Sequence, residues 1–203
     1  MEKREPITGN GEVDDVLLSS SVSVKSYREL EEAQKREGIA DFILERFRER
    51  YITPLRGDPQ RKNGFCTMAV SCLLIEALES FWRGLPDTKR QGESRKVLQT
   101  FFKRCKDQGG KLGVFANHAD FYEGVRCVIL HQAEITCGWH ISRKGPLYDP
   151  ATKTINATEF HAELKKCIER YGSKLRASSW GDKVWKNLKK KMASVIDNCQ
   201  RRK

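Results

Sequence analysis

One segment constrains this chain more than any other: residues 66–83, the most apolar stretch of an otherwise highly charged sequence. It is too long for a strand. Its longest near-continuous apolar run, residues 69–75 broken only by Ser71, falls far below the roughly 18 residues that span a bilayer. The spacing predicts a central helix, capped at its start by Thr67 and stopped by Gly84-Leu85-Pro86. Other amphipathic segments must wrap it. Residues 27–51 offer Leu30, Ile39, Phe42, Ile43, Phe47 and Tyr51, with Gly38 as a weak point that can divide the helix and Pro54, Gly57 and Pro59 closing it. Residues 93–107 turn Val97, Leu98, Phe101 and Phe102 inward and stop at Gly109-Gly110.

A further helix is expected over 118–136, ended by Gly138. Helix resumes over 157–175 behind an Asn156 or Thr158 cap, and the last runs over 180–199 with Val184, Leu188, Met192, Val195, Ile196 and Cys199 as its stripe. Between them the texture changes. Trp139-His140-Ile141-Ser142-Arg143 alternates, Lys153-Thr154-Ile155-Asn156 can be its return arm, and Gly145-Pro146-Leu147-Tyr148-Asp149-Pro150 supplies turn residues, which predicts a small β-hairpin over about 139–156. The expected fold is mainly α: a helical bundle with a small β-hairpin insertion before the last two helices. Residues 1–26, net acidic with a serine run, read as a loose N-terminal arm, and 27–203 as a single domain.

A formal charge of +11, from 38 basic against 27 acidic residues, favours anionic partners, nucleic acid first. Seven cysteines form no paired-spacing framework, and residues 1–10 lack the apolar run of a secretory leader, so a reducing cytoplasm is the expected location. No Gly-rich phosphate loop, Ser-His-Asp arrangement or dinucleotide fingerprint is visible.

Chemistry concentrates on residues 121–135. On a wheel of about 100° per residue, Val125, Val128, Gln132 and Ile135 share the core face with Phe121, while Arg126 and His131 border an outer surface. Leu130, Glu123, Glu134 and Cys127 lie between them. An apolar Leu130 there implies a covered surface, with a second copy of the same helix as the natural cover. Arginine grips phosphate oxygens and offsets developing charge. Histidine moves a proton near neutral pH. With the ribose 2′-hydroxyl as nucleophile the reaction needs no metal or cofactor, and its product carries a 2′,3′-cyclic phosphate. Glu123 and Glu134 could orient the pair.

The segment Phe121-Tyr122-Glu123-Gly124-Val125-Arg126-Cys127-Val128-Ile129-Leu130-His131 resembles the motif helix of the HEPN superfamily, in which Arg and His stand four to six residues apart on a late helix of a bundle. Met68-Ala69-Val70-Ser71-Cys72-Leu73-Leu74-Ile75-Glu76-Ala77-Leu78 resembles the earlier core helix, so the likeness covers about residues 65–137. It implies a metal-independent endoribonuclease, as in toxin–antitoxin, CRISPR and anti-phage defence systems, acting on RNA as a homodimer with Arg126 and His131 catalytic, and with an antitoxin or defence-complex protein as a further partner. Cys127 departs from the pattern. The family commonly has a polar residue after the Arg, and a thiol is a weak substitute for an amide or imidazole.

Basic residues interleaved with aromatics suit single-stranded nucleic acid. Trp139, His140, Arg143 and Lys144 of the hairpin, with Lys186 and Lys190 of the last helix and the terminal Arg201-Arg202-Lys203, are the candidates. The bland reading makes Trp139 and Tyr148 packing anchors and the lysines a solvated face. Cys137-Gly138-Trp139-His140 has the spacing of half a zinc site without a second half. The alternative function is a non-catalytic basic helical module for nucleic acid or protein.

Overall fold

A computed structural model describes residues 11–55, 63–88 and 92–200. Gly57, Pro59 and the terminal basic residues 201–203 lie outside them, as do residues 1–10. The architecture is mainly helical, with a small three-stranded sheet between the sixth and seventh helices.

The central element is α4 (Gly64–Arg83), which packs on α5 (Glu93–Asp107), α7 (Ala157–Ala177) and α8 (Lys183–Gln200). By length and mean hydropathy (1.5) α4 is apolar enough to cross a membrane, yet 61% of that window is buried within the bundle. The unbroken apolar run understated the helix. Thr67 does not cap it: Asn63 precedes the first turn without a side-chain bond, and Thr67 is buried inside the helix. Gly84 ends α4 in the left-handed conformation (φ 64°), as its sequence position demands.

Residues 11–26 of the expected loose arm are ordered. Gly11–Asp14 forms one helical turn (α1), a bridge joins Leu17 to Ser23, and Leu18 and Val24 are fully buried. Ser23 then caps α2 (Val24–Glu32), accepting from the Ser26 amide at 3.2 Å. The apolar residues at 13, 16, 18, 22 and 24 had no helical period because they pack as a folded-back segment. The helix expected over 27–51 divides at Gln34 (φ 50°), not at Gly38, which sits in the first turn of α3 (Arg36–Phe47). A Cβ at Gly38 would stand 3.1 Å from Leu30 Cδ2, so the glycine lets α2 and α3 close on each other.

α5 matches its expected bounds. It is followed by an unforeseen 3-10 helix, Lys111–Asn117, whose Gly113 lies so near Lys106 that a Cβ would fall 2.5 Å from its Cα. Asn156 caps α7, its side chain accepting from the amides of Thr158 and Glu159 at 3.0 and 3.2 Å.

The sheet corrects the hairpin expectation. β1 (His140–Ser142) pairs with β3 (Thr154–Asn156) in parallel, whereas the antiparallel hairpin is made by β2 (Tyr148–Asp149) and β3, in the order β1-β3-β2. The segment read as turn supplies the second strand. Asp149 builds the real turn, accepting from the Ala151 amide at 3.0 Å and the Thr152 hydroxyl at 2.7 Å. An aromatic cluster fastens this sheet to the bundle. Phe115 is its hub, with ring centroids 5.3–5.5 Å from those of Phe102, Phe121, Tyr148 and Phe160, and 6.3 Å from Trp139.

Phe115→Ala would empty a fully buried site shared by the 3-10 helix, α5, α7 and the sheet. A loss of about 3–5 kcal/mol is expected by urea denaturation, with near-ultraviolet dichroism falling as the cluster loosens. A loss below about 1 kcal/mol would show that the sheet does not depend on this hub.

Candidate functional site

The chain over 121–136 is not the regular helix that its apolar spacing suggests. Tyr122–Cys127 is π-helical, Val128–Gln132 returns to α-helix (α6), and Ala133 turns left-handed (φ 56°) to end it. A π turn closes i to i+5 and is wider than the 3.6-residue turn, so the wheel fails here. Phe121, Val125, Val128 and Ile129 are buried, whereas Gln132, expected in the core, is exposed. The returning loop crosses at this point. The Thr136 amide donates to the Gly124 carbonyl at 2.9 Å, and a Cβ on Gly124 would fall 2.7 Å from Trp139 Cδ1. Only glycine admits that crossing.

The wider turn swings Arg126 inward. Its Nε donates to Glu76 Oε1 on α4 at 2.5 Å, with the two side chains 13% and 9% exposed. Glu76 Oε2 is taken separately, by the hydroxyls of Thr88 at 3.0 Å and Ser94 at 3.3 Å. Glu76 thus meets the guanidinium with one oxygen and is itself held from two sides. Burial works against the Arg126 cation, and the hydrogen bond and charge of Glu76 outweigh it, so the pKa stands above that of free arginine. The guanidinium also lies over the Tyr122 ring, 5.6 Å from its centroid. A hydrogen bond with Cys127, then burial, raises the Tyr122 phenol, and burial pushes the neighbouring Cys72 thiol up to about 12.

His131 is exposed on the last turn of α6. Within one chain, therefore, Arg126 and His131 are not brought together: one turns onto α4, the other to solvent. Glu123 supports neither, being ion-paired with Arg95, and Glu134 is exposed beyond the helix end. Cys127 is half-buried beside Tyr122.

Of the nucleic-acid candidates, Trp139 is out of reach of any strand. It is 2% exposed and packs among Phe115, His118, Phe121 and Tyr148, with Lys153 Nζ 4.8 Å over its ring. A buried ring stacks no base. Its apolar bulk, packed against Gly124 and the aromatic cluster, outweighed its place in a basic sequence. Lys153 is likewise engaged, with Asp120 and the Cys137 carbonyl. His140, Lys144, Lys186 and Lys190 are exposed, and Arg143 is half-buried near Gly64 at the start of α4. Among the described residues no three His, Cys, Asp or Glu side chains converge as a metal site, so Cys137 and His140 gain no partners there.

Two features escaped the sequence reading. Glu76 is the first, and its signal was visible: an acidic residue inside the most apolar helix must find a cation. The second is the outer face of α4. Cys66, Val70, Leu73 and Ala77 recur at intervals of four, three and four, and all are exposed or half-buried, as are Phe65 and Ala69. Phe65 and Leu73 are 42% and 44% exposed. On a wheel centred on Leu73, Ala69 and Glu76 lie together on one side of this stripe, within about 60°. The Arg126–Glu76 pair therefore lies along its edge. Comparison with protein-family models, with curated proteins and with solved structures gives no match to the chain.

Arg126→Ala should destabilise the fold by about 3–5 kcal/mol, because Glu76 would remain buried without its cation. Glu76→Gln combined with Arg126→Met should cost clearly less than the two single changes added together, which a double-mutant cycle in urea measures. Additive losses would mean that the two side chains do not depend on each other.

Proposed function

We propose that this chain is a HEPN-like, metal-independent endoribonuclease that works as a homodimer in the cytoplasm, with Arg126 of one copy and His131 of the other meeting at one phosphodiester. The observation that carries this reading is the Arg126–Glu76 pair at the edge of the exposed apolar stripe of α4. An arginine held at one edge of its guanidinium is pre-positioned, and its Nη edge is the part that an incoming phosphate takes.

Charge favours a second copy as the cover of α4. From Gly64 to Trp82 the helix carries no Lys or Arg, so this face lets two strongly basic chains approach without like-charge repulsion. The 4-3-4 spacing is that of a helix seam, and a twofold axis through it sets like residues against like. This reading requires such an axis to bring each exposed His131 to the partner's α4 flank. There the imidazole takes the 2′-hydroxyl proton, the hydroxyl oxygen attacks phosphorus as the P–O5′ bond breaks, the departing 5′-oxygen takes a proton from solvent, and Arg126 offsets the charge that grows on the phosphoryl oxygens. Exposed His140 and Lys144, with Lys186 and Lys190, add phosphate contacts that raise affinity without reading sequence. A defence role, with an antitoxin or complex partner restraining the enzyme, fits a nuclease of this kind.

One observation favours a second reading. Glu76 already neutralises Arg126, and Cys127 stands where a polar group would help, which suits a non-catalytic basic module that retains RNA without cutting it.

Single-stranded RNA should be cleaved in EDTA to products ending in a 2′,3′-cyclic phosphate. His131→Ala should remove at least about a hundredfold of that rate while changing stability by less than about 0.5 kcal/mol, since the side chain is exposed. Arg126→Lys is the matching change on the other side, because it keeps a cation for Glu76 and loses the planar fork. RNA retention without scission in the unaltered protein would leave the binding module as the answer. For the dimer, Leu73→Arg should convert the assembly to monomer by sedimentation and abolish cleavage together. Activity in a proven monomer would contradict the shared site.

A further inference from the structure

Away from α4's apolar stripe, the C-terminal end of the same helix opens into a different kind of surface. A pocket of about 440 Å³ lies between α4, α5, α7 and the start of α8, and four cations line it: Arg83, Arg104, Lys174 and Lys183. Two of them are held by acids. Arg104 clamps the buried Glu79, donating from Nη2 at 2.6 Å and from Nε at 3.3 Å, and Arg83 pairs with Glu93 at 2.8 Å. Lys174 and Lys183 have no carboxylate partner among the described residues, so the pocket keeps an excess of two positive charges.

Two further observations give this excess a shape. The first turn of α8 contributes Lys183 and Val184, and a helix start presents amide groups without helical acceptors and the positive end of the dipole. The floor is rigid: Asn187 Nδ2 donates to the Trp82 carbonyl at 2.6 Å, and a Cβ on Gly84 would fall 3.0 Å from Asn187 Cα. Trp82 is engaged by Arg104, 4.7 Å over the ring centroid, and by Tyr171, edge-on at 4.8 Å, which leaves little aromatic surface for a stacked base. What the pocket offers is donors and charge in a small volume.

We infer that this pocket binds the phosphate groups of a nucleotide, taken as a compact anion between Lys174, Lys183 and the first turn of α8, with the charge of Arg83 and Arg104 behind them. The ligand chemistry is that of a phosphoryl group with two or more negative charges, carried by a free nucleoside polyphosphate or by an RNA strand. The site does not use Arg126 or His131, so it stands or falls independently of the ribonuclease reading.

Isothermal titration calorimetry on the full chain with inorganic pyrophosphate tests it. Saturable binding at one site per chain is expected, weakened about tenfold or more by Lys174→Glu with Lys183→Glu, and less, in the same direction, by the two glutamine changes. Lys25→Glu with Lys165→Glu, which alters the net charge equally on exposed surface elsewhere, should leave the affinity within about twofold. Competition by ATP and by a non-cleavable 2′-O-methyl oligoribonucleotide then identifies which source of phosphate the pocket accepts. Unsaturable binding, or equal losses in the two charge-reversal pairs, would overturn the inference, since diffuse positive charge would then account for all of it.

Discussion

The ion pair between Arg126 and Glu76 is the contact on which the organisation of this protein turns. A carboxylate in the most apolar helix is costly unless a cation reaches it, and the cation comes from a segment 50 residues further along the chain. That requirement ties the π-helical segment to α4 and decides which way Arg126 faces. It also brings in Thr88 and Ser94, whose hydroxyls occupy the second oxygen, so the linker before α5 and the start of α5 are registered against the same point. A second buried acid on α4, Glu79, does the same for Arg104 and α5. Burial raises its pKa despite that partner. The apolar helix at the core is therefore also the one that collects two cations from its neighbours.

Gly124 and Trp139 complete the arrangement from the other side. The chain leaves α6 through a left-handed Ala133, returns across Gly124, and buries Trp139 against Phe115 and Phe121. The crossing and the π turn occur together at Gly124. A regular helix through the same residues would keep Arg126 on the outer arc, away from Glu76. Local irregularity thus aims the guanidinium, in keeping with the frequent appearance of π turns at functional sites. His131, beyond the irregular part, keeps the outward direction that the helical wheel assigns to it.

Much of the bundle was legible in the residues. The bounds of α5 follow from its apolar stripe and the glycines behind it, and α7 begins at the Asn156 cap. What failed did so for identifiable reasons. Leu18 and Val24 are anchors without periodicity, so a packed segment read as a loose arm. Strand pairing is set by tertiary contacts, and alternation in residues 139–143 could not say that β1 runs parallel to β3. At the candidate site, the residue types were visible and their directions were not, because spacing presumes a regular turn and this helix does not have one. Glu76 could have been flagged by its setting alone. Trp139 could not, since an aromatic beside basic residues suits a core anchor as well as a stacking platform.

The measurement that bears most directly on the proposed site is complementation between two inactive chains. Co-expressed His131→Ala and Arg126→Lys proteins, each inert alone, form mixed dimers in which one of the two sites receives an unaltered arginine from one chain and an unaltered histidine from the other. Random pairing should restore about a quarter of the unaltered protein's RNA cleavage if the two groups converge from separate copies. No recovery, in mixtures shown by mass spectrometry to contain the mixed dimer, would contradict the shared site.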